Sequence, residues 1–259
     1  MTDNDYGLLG AVAQKKVKFF KEEKGAYFVS CMMAGIYVGL CMITILVMAG
    51  AMDHFAGIKI LQGVSFAAAL SLVIFAGSEL FTGNIFVMTA GVMLKAIKPL
   101  DGVKLCIYCY LGNLVGSIII AWFFLGTGYL QGPVLEATHA AMYSKTEPLF
   151  LELFVRGILC NLLVCAAVWC MYRLKSESSK LIMIFWCIYV FVVCGFEHSI
   201  ANMTLFSMET MAGVDAATFG LLLVNLGATT AGNILGGMGL SLAYWTISKK
   251  ALQHIQETT

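Results

Sequence analysis

Charge is what this chain lacks most. Only 12% of its 259 residues are charged, against 60% hydrophobic, whereas about a quarter of an ordinary soluble domain is charged. So few charges cannot cover a water-exposed surface, which excludes an ordinary soluble enzyme. The balance is also nearly even, 16 Lys+Arg against 15 Asp+Glu, and no nucleic-acid partner is expected. Alternating polarity is missing along the chain, which excludes a membrane β-barrel. Cys106 and Cys109 form a C-x-x-C, but no second pair or histidine cluster completes it, so neither a metal site nor a cofactor is expected. Residues 1–24 lack the apolar core of a signal peptide.

What the sequence has instead is long apolar runs. A helix needs about 20 mainly apolar residues to cross the hydrocarbon core. Gly25–Met52, Leu105–Leu135 and Ala216–Ser248 contain no charge, and Ile60–Leu94, Leu149–Tyr172 and Leu181–Met208 contain very few. The reading is an all-α membrane protein with six transmembrane helices. Residues 1–24 form a cytoplasmic amphipathic segment, with Leu8, Leu9, Val12, Phe19 and Phe20 among lysines, suited to the inner leaflet or to gating. Residues 25–259 form one transmembrane domain in the lipid bilayer. Thirteen Lys and Arg fall on one side of the six spans, and only Lys59 and Lys145 on the other. Both termini are therefore expected on the cytoplasmic side. The nine cysteines lie in or at the ends of the spans and read as packing residues.

The chain repeats itself. Gly77, Glu79 and Asn84 recur as Gly195, Glu197 and Asn202 at a single offset, and Gly112-Asn113 recurs as Gly232-Asn233. The halves, about 25–126 and 148–248, have three spans each. An odd number forces the second half to enter the membrane upside down, an inverted repeat that places a transport site at the midplane. Gly35/Gly39, Gly112/Gly116 and Gly232/Gly236 are small residues four apart, which let helix backbones approach closely.

Glu79, Glu197 and His198 lie deep in apolar spans, where a charge costs about 3 kcal/mol on insertion scales. Polar, small-residue interruptions surround them, so the second and fifth helices are expected to be broken. Glu79 and Glu197 would then support the loops by accepting hydrogen bonds from loop amides, with Asn84 and Asn202 beside them. The restarting helices point positive ends inward, and such a centre attracts anions. Among four histidines, His198 lies inside a span, His54 and His139 in outer loops, and His254 in the tail. Beside an intramembrane glutamate at a helix break, His198 is read as functional and resting neutral. Thr82 and His198 are where the repeat breaks its own pattern, and those two are read as the functional pair. Lys145 would draw anions into a vestibule, and Arg156 would pair with Glu152 one turn away.

Cys-Gly-Phe-Glu-His-Ser-Ile-Ala-Asn-Met (194–203), Gly-Ser-Glu-Leu-Phe-Thr-Gly-Asn (77–84), Gly157-Ile-Leu-Cys-Asn-Leu-Leu-Val164 and the two Gly-Asn pairs resemble the formate/nitrite transporter family across essentially all six spans. The resemblance implies an aquaporin-like fold assembled as a homopentamer. It also implies a channel or transporter, not an enzyme, for small monovalent anions of weak acids: formate, nitrite or hydrosulfide. By motif, His198 is the central pore histidine, Thr82 its facing residue and Lys145 the basic residue of the outer vestibule. Asn161 and Asn233 are the pore asparagines, and Leu80, Phe81, Phe191 and Val164 the constriction residues.

A bare anion meets a large desolvation penalty in an apolar constriction. Each of the three anions escapes it by taking a proton and passing as the neutral acid, with help from His198 and Thr82. The alternative reading is an aquaporin-like channel for small neutral solutes. It lacks paired Asn-Pro-Ala motifs, because the three prolines are Pro99, Pro133 and Pro148.

Overall fold

The computed structural model describes residues 3–52 and 55–258. His54, read above as an outer-loop residue, lies outside them. The described residues are helical, with no strand among them. The first helix, α1 (Asp3–Glu22), precedes a long apolar one, α2 (Lys24–Ala51). The next apolar run is divided into α3 (Ile58–Phe66), α4 (Ala68–Phe75) and, after a non-helical stretch, α5 (Phe81–Met93). Then come α6 (Pro99–Gly126), α7 (Pro133–Thr146), α8 (Phe150–Arg173), α9 (Glu177–Val193), α10 (Ser199–Ala212) and α11 (Ala216–Thr258).

Five stretches are long and apolar enough to cross a membrane: Lys24–Ala51, Ile58–Phe75, Pro99–Gly126, Phe150–Arg173 and Thr218–Ser248. Local chemistry sets their ends. Pro99 opens α6, where its missing N–H leaves no bond unmade, and Asp101 adds negative charge in the first turn. The Ser176 hydroxyl accepts from the Ser179 N–H at the start of α9. Glu152 turns back to the Leu149 N–H at 3.0 Å. Capping the first turn of α8 therefore occupies the carboxylate that the sequence had paired with Arg156.

Two helix pairs carry the packing, α2 on α6 and α8 on α11. Glycine makes both possible. A Cβ on Gly35 would run into the Asn113 carbonyl oxygen, and one on Gly116 into that of Met32. In the second pair, Gly232 and Gly236 lie as close to the carbonyls of Phe154 and Ile158. The halves are thus built on the same crossing.

The two remaining helices lie at opposite ends of the bundle. Helix α1 buries Tyr6, Leu9, Ala13 and Val17, a stripe at helical spacing that packs on α5 and α11. This stripe faces protein, and Leu8, assigned to it from sequence, is exposed. Helix α7 packs at the far end of α2, with Pro133 and Val134 against Gly50. It carries His139, placed in a loop by the sequence reading. All nine cysteines are free thiols, and most are buried.

Candidate functional site

The helical run stops at Phe75 and restarts at Phe81, and it stops again at Val193 and restarts at Ser199. The two interruptions have one geometry. Gly77 and Gly195 take φ of +74° and +69°, a left-handed turn that a side chain would strain. Behind them, Ser78 N–H donates to the Val73 carbonyl at 2.9 Å and Phe196 N–H to that of Phe191 at 3.0 Å. Glu79 N–H then reaches Ser30 of α2, and Glu197 N–H reaches Arg156 of α8.

One asparagine closes each interruption. Asn113 donates to the carbonyls of Cys31 and Glu79 at 2.7 and 2.9 Å and accepts from the Phe81 N–H at 2.9 Å. Asn233 donates to Gly157 and Glu197 at 2.8 and 2.9 Å and accepts from the Ser199 N–H at 2.9 Å. Backbone groups freed inside an apolar span have no water to turn to; in each half the asparagine satisfies two of them, one carbonyl and one N–H, and its third bond ties the loop to a carbonyl of α2 or α8. The Glu79 and Glu197 side chains are therefore not held by loop amides as the sequence suggested. Both Glu79 oxygens accept from Lys16 Nζ at 2.6 Å, with Tyr27 and Asn84 adding bonds at 3.2 and 2.9 Å. Both Glu197 oxygens accept from Lys145 Nζ at 3.0 Å, and Asn202 adds one at 2.6 Å. Removing one member of a buried pair of this kind costs about 3–5 kcal/mol.

His198 is the N-cap of α10. Its Nδ1 accepts from the Ala201 N–H at 3.2 Å. That bond needs a bare Nδ1, so the proton of the neutral ring sits on Nε2. Nε2 lies 3.1 Å from Thr82 Oγ1, and the ring stacks on Phe191 with centroids 6.0 Å apart. Thr82 comes from one half and His198 from the other, and both are buried.

His198 and Phe191 face a small cavity of about 10 Å³, which Thr82 itself does not line. His198 lines it together with Leu80, Val164, Phe191, Phe66 and Ile188. Leu80 also lines a second cavity of about 210 Å³, which holds Lys16, Glu79, Asn84 and Tyr172 and lies on the α1 side. Leu70 lines both cavities too, so two leucine side chains, Leu70 and Leu80, stand between a polar vestibule and the histidine. Three expected pore residues are placed elsewhere. The Phe81 ring meets Tyr110 edge-on and lines a lateral apolar groove with Met88 and Ile107. The reason is local: Leu80 is extended, and the helix begins at the next residue. Asn161 donates to the carbonyls of Thr82 and Asn233 at 3.2 and 2.6 Å, joining the two halves, and Asn233 is occupied by backbone. Neither lines the histidine cavity.

Sequence reasoning missed Lys16, Tyr27, Asn113 and Asn225. Asn225 accepts from Asn202 at 2.9 Å and donates to the Lys145 carbonyl at 2.7 Å. The repeat pointed at Asn113, but only as half of a Gly-Asn match. Among the described residues, no three His, Cys, Asp or Glu side chains gather as metal ligands.

Comparison with known proteins places this geometry. The family model described as Formate/nitrite transporter matches residues 7–246. "Nitrite transporter NirC" of Escherichia coli (strain K12) is 38% identical over 235 residues, 87% of this chain and 84% of that protein. The "Probable formate transporter" of Methanothermobacter thermautotrophicus is 31% identical, over 91% and 92% of the two chains. A solved "FNT family ion channel" superposes with a TM-score of 0.87 at 34% identity, covering 94% of this chain and 98% of the other. A "Pentameric formate channel with formate bound" gives 0.72 at 31% identity, covering 86% and 96%. With paired helix interruptions facing across a buried Thr–His contact, and similarity running almost from end to end, the chain belongs to the formate/nitrite transporter family.

Proposed function

We propose that this protein conducts small monovalent anions of weak acids, formate, nitrite or hydrosulfide, across a membrane as their neutral acids. The relatives named for nitrite and formate support this substrate class. The neighbour described as a pentameric formate channel supports a homopentamer. Six crossings, the second and fifth interrupted, account for the helix order, with α9 and α10 together forming one of them. The excess of Lys and Arg on the α1 side supports a cytoplasmic location for that face in the plasma membrane.

One observation carries the mechanism: the Thr82–His198 contact at 3.1 Å beside a cavity otherwise walled by apolar side chains. An anion entering there would lose its hydration with little in return. Each face therefore handles charge before the constriction. A lysine ammonium has three donors; two of Lys145's meet Glu197, which leaves one for an arriving anion, and Lys16 offers the same on its side. The anion takes a proton from bulk water in the vestibule, passes Leu80, Val164 and Phe191 as the neutral acid, and returns the proton to water on the other side. His198, its Nδ1 committed to capping α10, stays neutral and offers the Nε2 proton as a hydrogen bond, with Thr82 opposite. Glu79, Glu197, Asn84 and Asn202 keep the two lysines aimed, and Asn161 and Asn233 hold the loops.

His198→Asn tests this, because asparagine is also a good N-cap and the fold is retained. Formate uptake into liposomes, followed from pH 5 to 8, is expected to fall about tenfold, a change of ~1.4 kcal/mol. Uptake equal to wild type at every pH would overturn the role of His198.

A further inference from the structure

One buried carboxylate takes no part in the mechanism above. Glu209, near the end of α10, is fully buried, and both its oxygens face His139 Nδ1 on α7, at 3.1 and 2.8 Å. The histidine side chain is 41% exposed. Six residues further along α7 stands Lys145, about 9 Å away along the helix axis. Helix α7 is therefore fastened to one neighbour at two points. Lys145 meets Glu197 just before α10 begins, and His139 meets Glu209 near its end.

The other half shows what the second point is for. At the offset that relates Glu79 to Glu197, the counterpart of Glu209 is Gly91, in α5. A Cβ on Gly91 would strike the Ala13 side chain of α1, so helix α1 approaches α5 there as closely as side chains allow. Ala13 lies three residues before Lys16. In both halves, then, a surface helix touches the far end of the restarted helix and, within two turns, sets a lysine on the repeat glutamate. One half makes that touch by close apolar packing, the other by a histidine–carboxylate hydrogen bond.

We propose that His139 and Glu209 are positioning residues for Lys145, fixing the tilt of α7 so that its ammonium stays over Glu197 and open to an anion from that face. The lysine is reached by a side chain of four carbons, so a pivot of α7 about its Lys145 end would change where the free N–H points without unfolding anything. Without His139, the buried Glu209 carboxylate would lose the partner that balances it. The helix would then be held by Asn225, Lys145 and the Gly50 contact.

This rests on the transport reading, and two measurements separate their failures. The first uses formate in liposomes of known orientation, with Glu209→Gln as the variant, since glutamine keeps the shape and an acceptor. Half-saturating formate is expected to rise about fivefold for entry from the α7 face and to stay unchanged from the α1 face, with maximal flux within twofold. His139→Lys, which keeps a hydrogen-bond donor for Glu209, is expected to hold the wild-type value where His139→Ala does not. An equal change at both faces overturns the proposal. The second measurement needs no substrate. Met142 is buried on α7, and labelling of Met142→Cys by an impermeant maleimide, above the level of the parent protein, should speed up at least fivefold when His139→Ala is added. Unchanged labelling overturns the proposal even if formate is carried. Faster labelling in a protein that carries none of formate, nitrite and hydrosulfide upholds the hold on α7 and overturns the transport reading alone.

Discussion

Glu79 and Glu197 occupy matching places in two halves that run through the structure in opposite directions, yet their surroundings differ in an instructive way. The backbone around them is the same bond for bond: a left-handed glycine two residues before, an amide reaching into the preceding long helix, and an asparagine clamp from the last helix of the half. The side-chain shell is where the halves part. Glu79 has a phenol from Tyr27 in addition to its lysine and asparagine, whereas Glu197 has an asparagine pair, Asn202 and Asn225, leading back to the Lys145 carbonyl. The surface helices differ as well. Helix α1 is tied down along its length by Tyr6 on Ser241, Gln14 on Ala96 and Lys21 on Asp101, while α7 rests on the Lys145–Glu197 ion pair, the His139–Glu209 hydrogen bond, the Asn225 bond to the Lys145 carbonyl and the Gly50 contact. Backbone geometry obeys the repeat because the same apolar environment demands the same hydrogen-bond satisfaction in each half. The side chains are free to follow each face's own chemistry.

That division predicts where the halves respond alike. The largest effect is expected from the clamps. Asn113→Ala and Asn233→Ala each strand two buried backbone groups, and at about 1.5 kcal/mol per group left unsatisfied each should destabilise the protein by about 3 kcal/mol. Thermal unfolding in detergent would show it, and a clear difference between the two would break the equivalence. Next come Gly35→Ala and Gly232→Ala, which drive a methyl group into a carbonyl oxygen. Each is expected to cost about 2 kcal/mol by overpacking, again to equal degree in the same assay.

The side-chain shell should show the opposite. Glu197→Gln is expected to lower formate flux about tenfold, ~1.4 kcal/mol, and more for entry from the α7 face than from the α1 face. Glu79→Gln should reverse that preference. Side-resolved uptake in liposomes distinguishes them, and identical profiles would mean that the vestibules do not act separately. Smallest is Tyr27→Phe, which removes two long bonds of 3.2 Å, one to Glu79 and one from Asn84, an amide that keeps its shorter bond to Glu79. A loss of about 1 kcal/mol or less in stability is expected, with flux nearly unchanged.

Much of the interior was legible because burial is expensive and leaves few residue types to choose from. Gly77, Glu79 and Asn84 and their counterparts stood out as polar or small residues where lipid-soluble ones belong, and the structure sets the glycines and glutamates in equivalent loops and the asparagines in the first turns of α5 and α10. Lys16 was not legible. It is one of five lysines between residues 15 and 24, and nothing in the sequence says which face of α1 turns inward until Tyr6, Leu9 and Ala13 find their seats. His139 was hidden for a related reason: a histidine in a short connection reads as solvated unless its partner, seventy residues later, is known. Phe81 shows a third limit. A helix that starts between two neighbouring residues sends their side chains to different sides, so Leu80 faces the histidine cavity and Phe81 a groove outside it.

The distance along the chain between each restarted helix and its clamp bears on how the protein is made. Helix α5 has 13 residues and α10 has 14, about 20 Å each at 1.5 Å per residue, short of the ~30 Å hydrocarbon core. Neither can settle across a bilayer by itself. Phe81 must wait for Asn113, 32 residues behind it on the ribosome, and Ser199 for Asn233, 34 behind. Each half is therefore synthesised with its central element unfinished, and the last helix of that half completes the membrane insertion of the one before it.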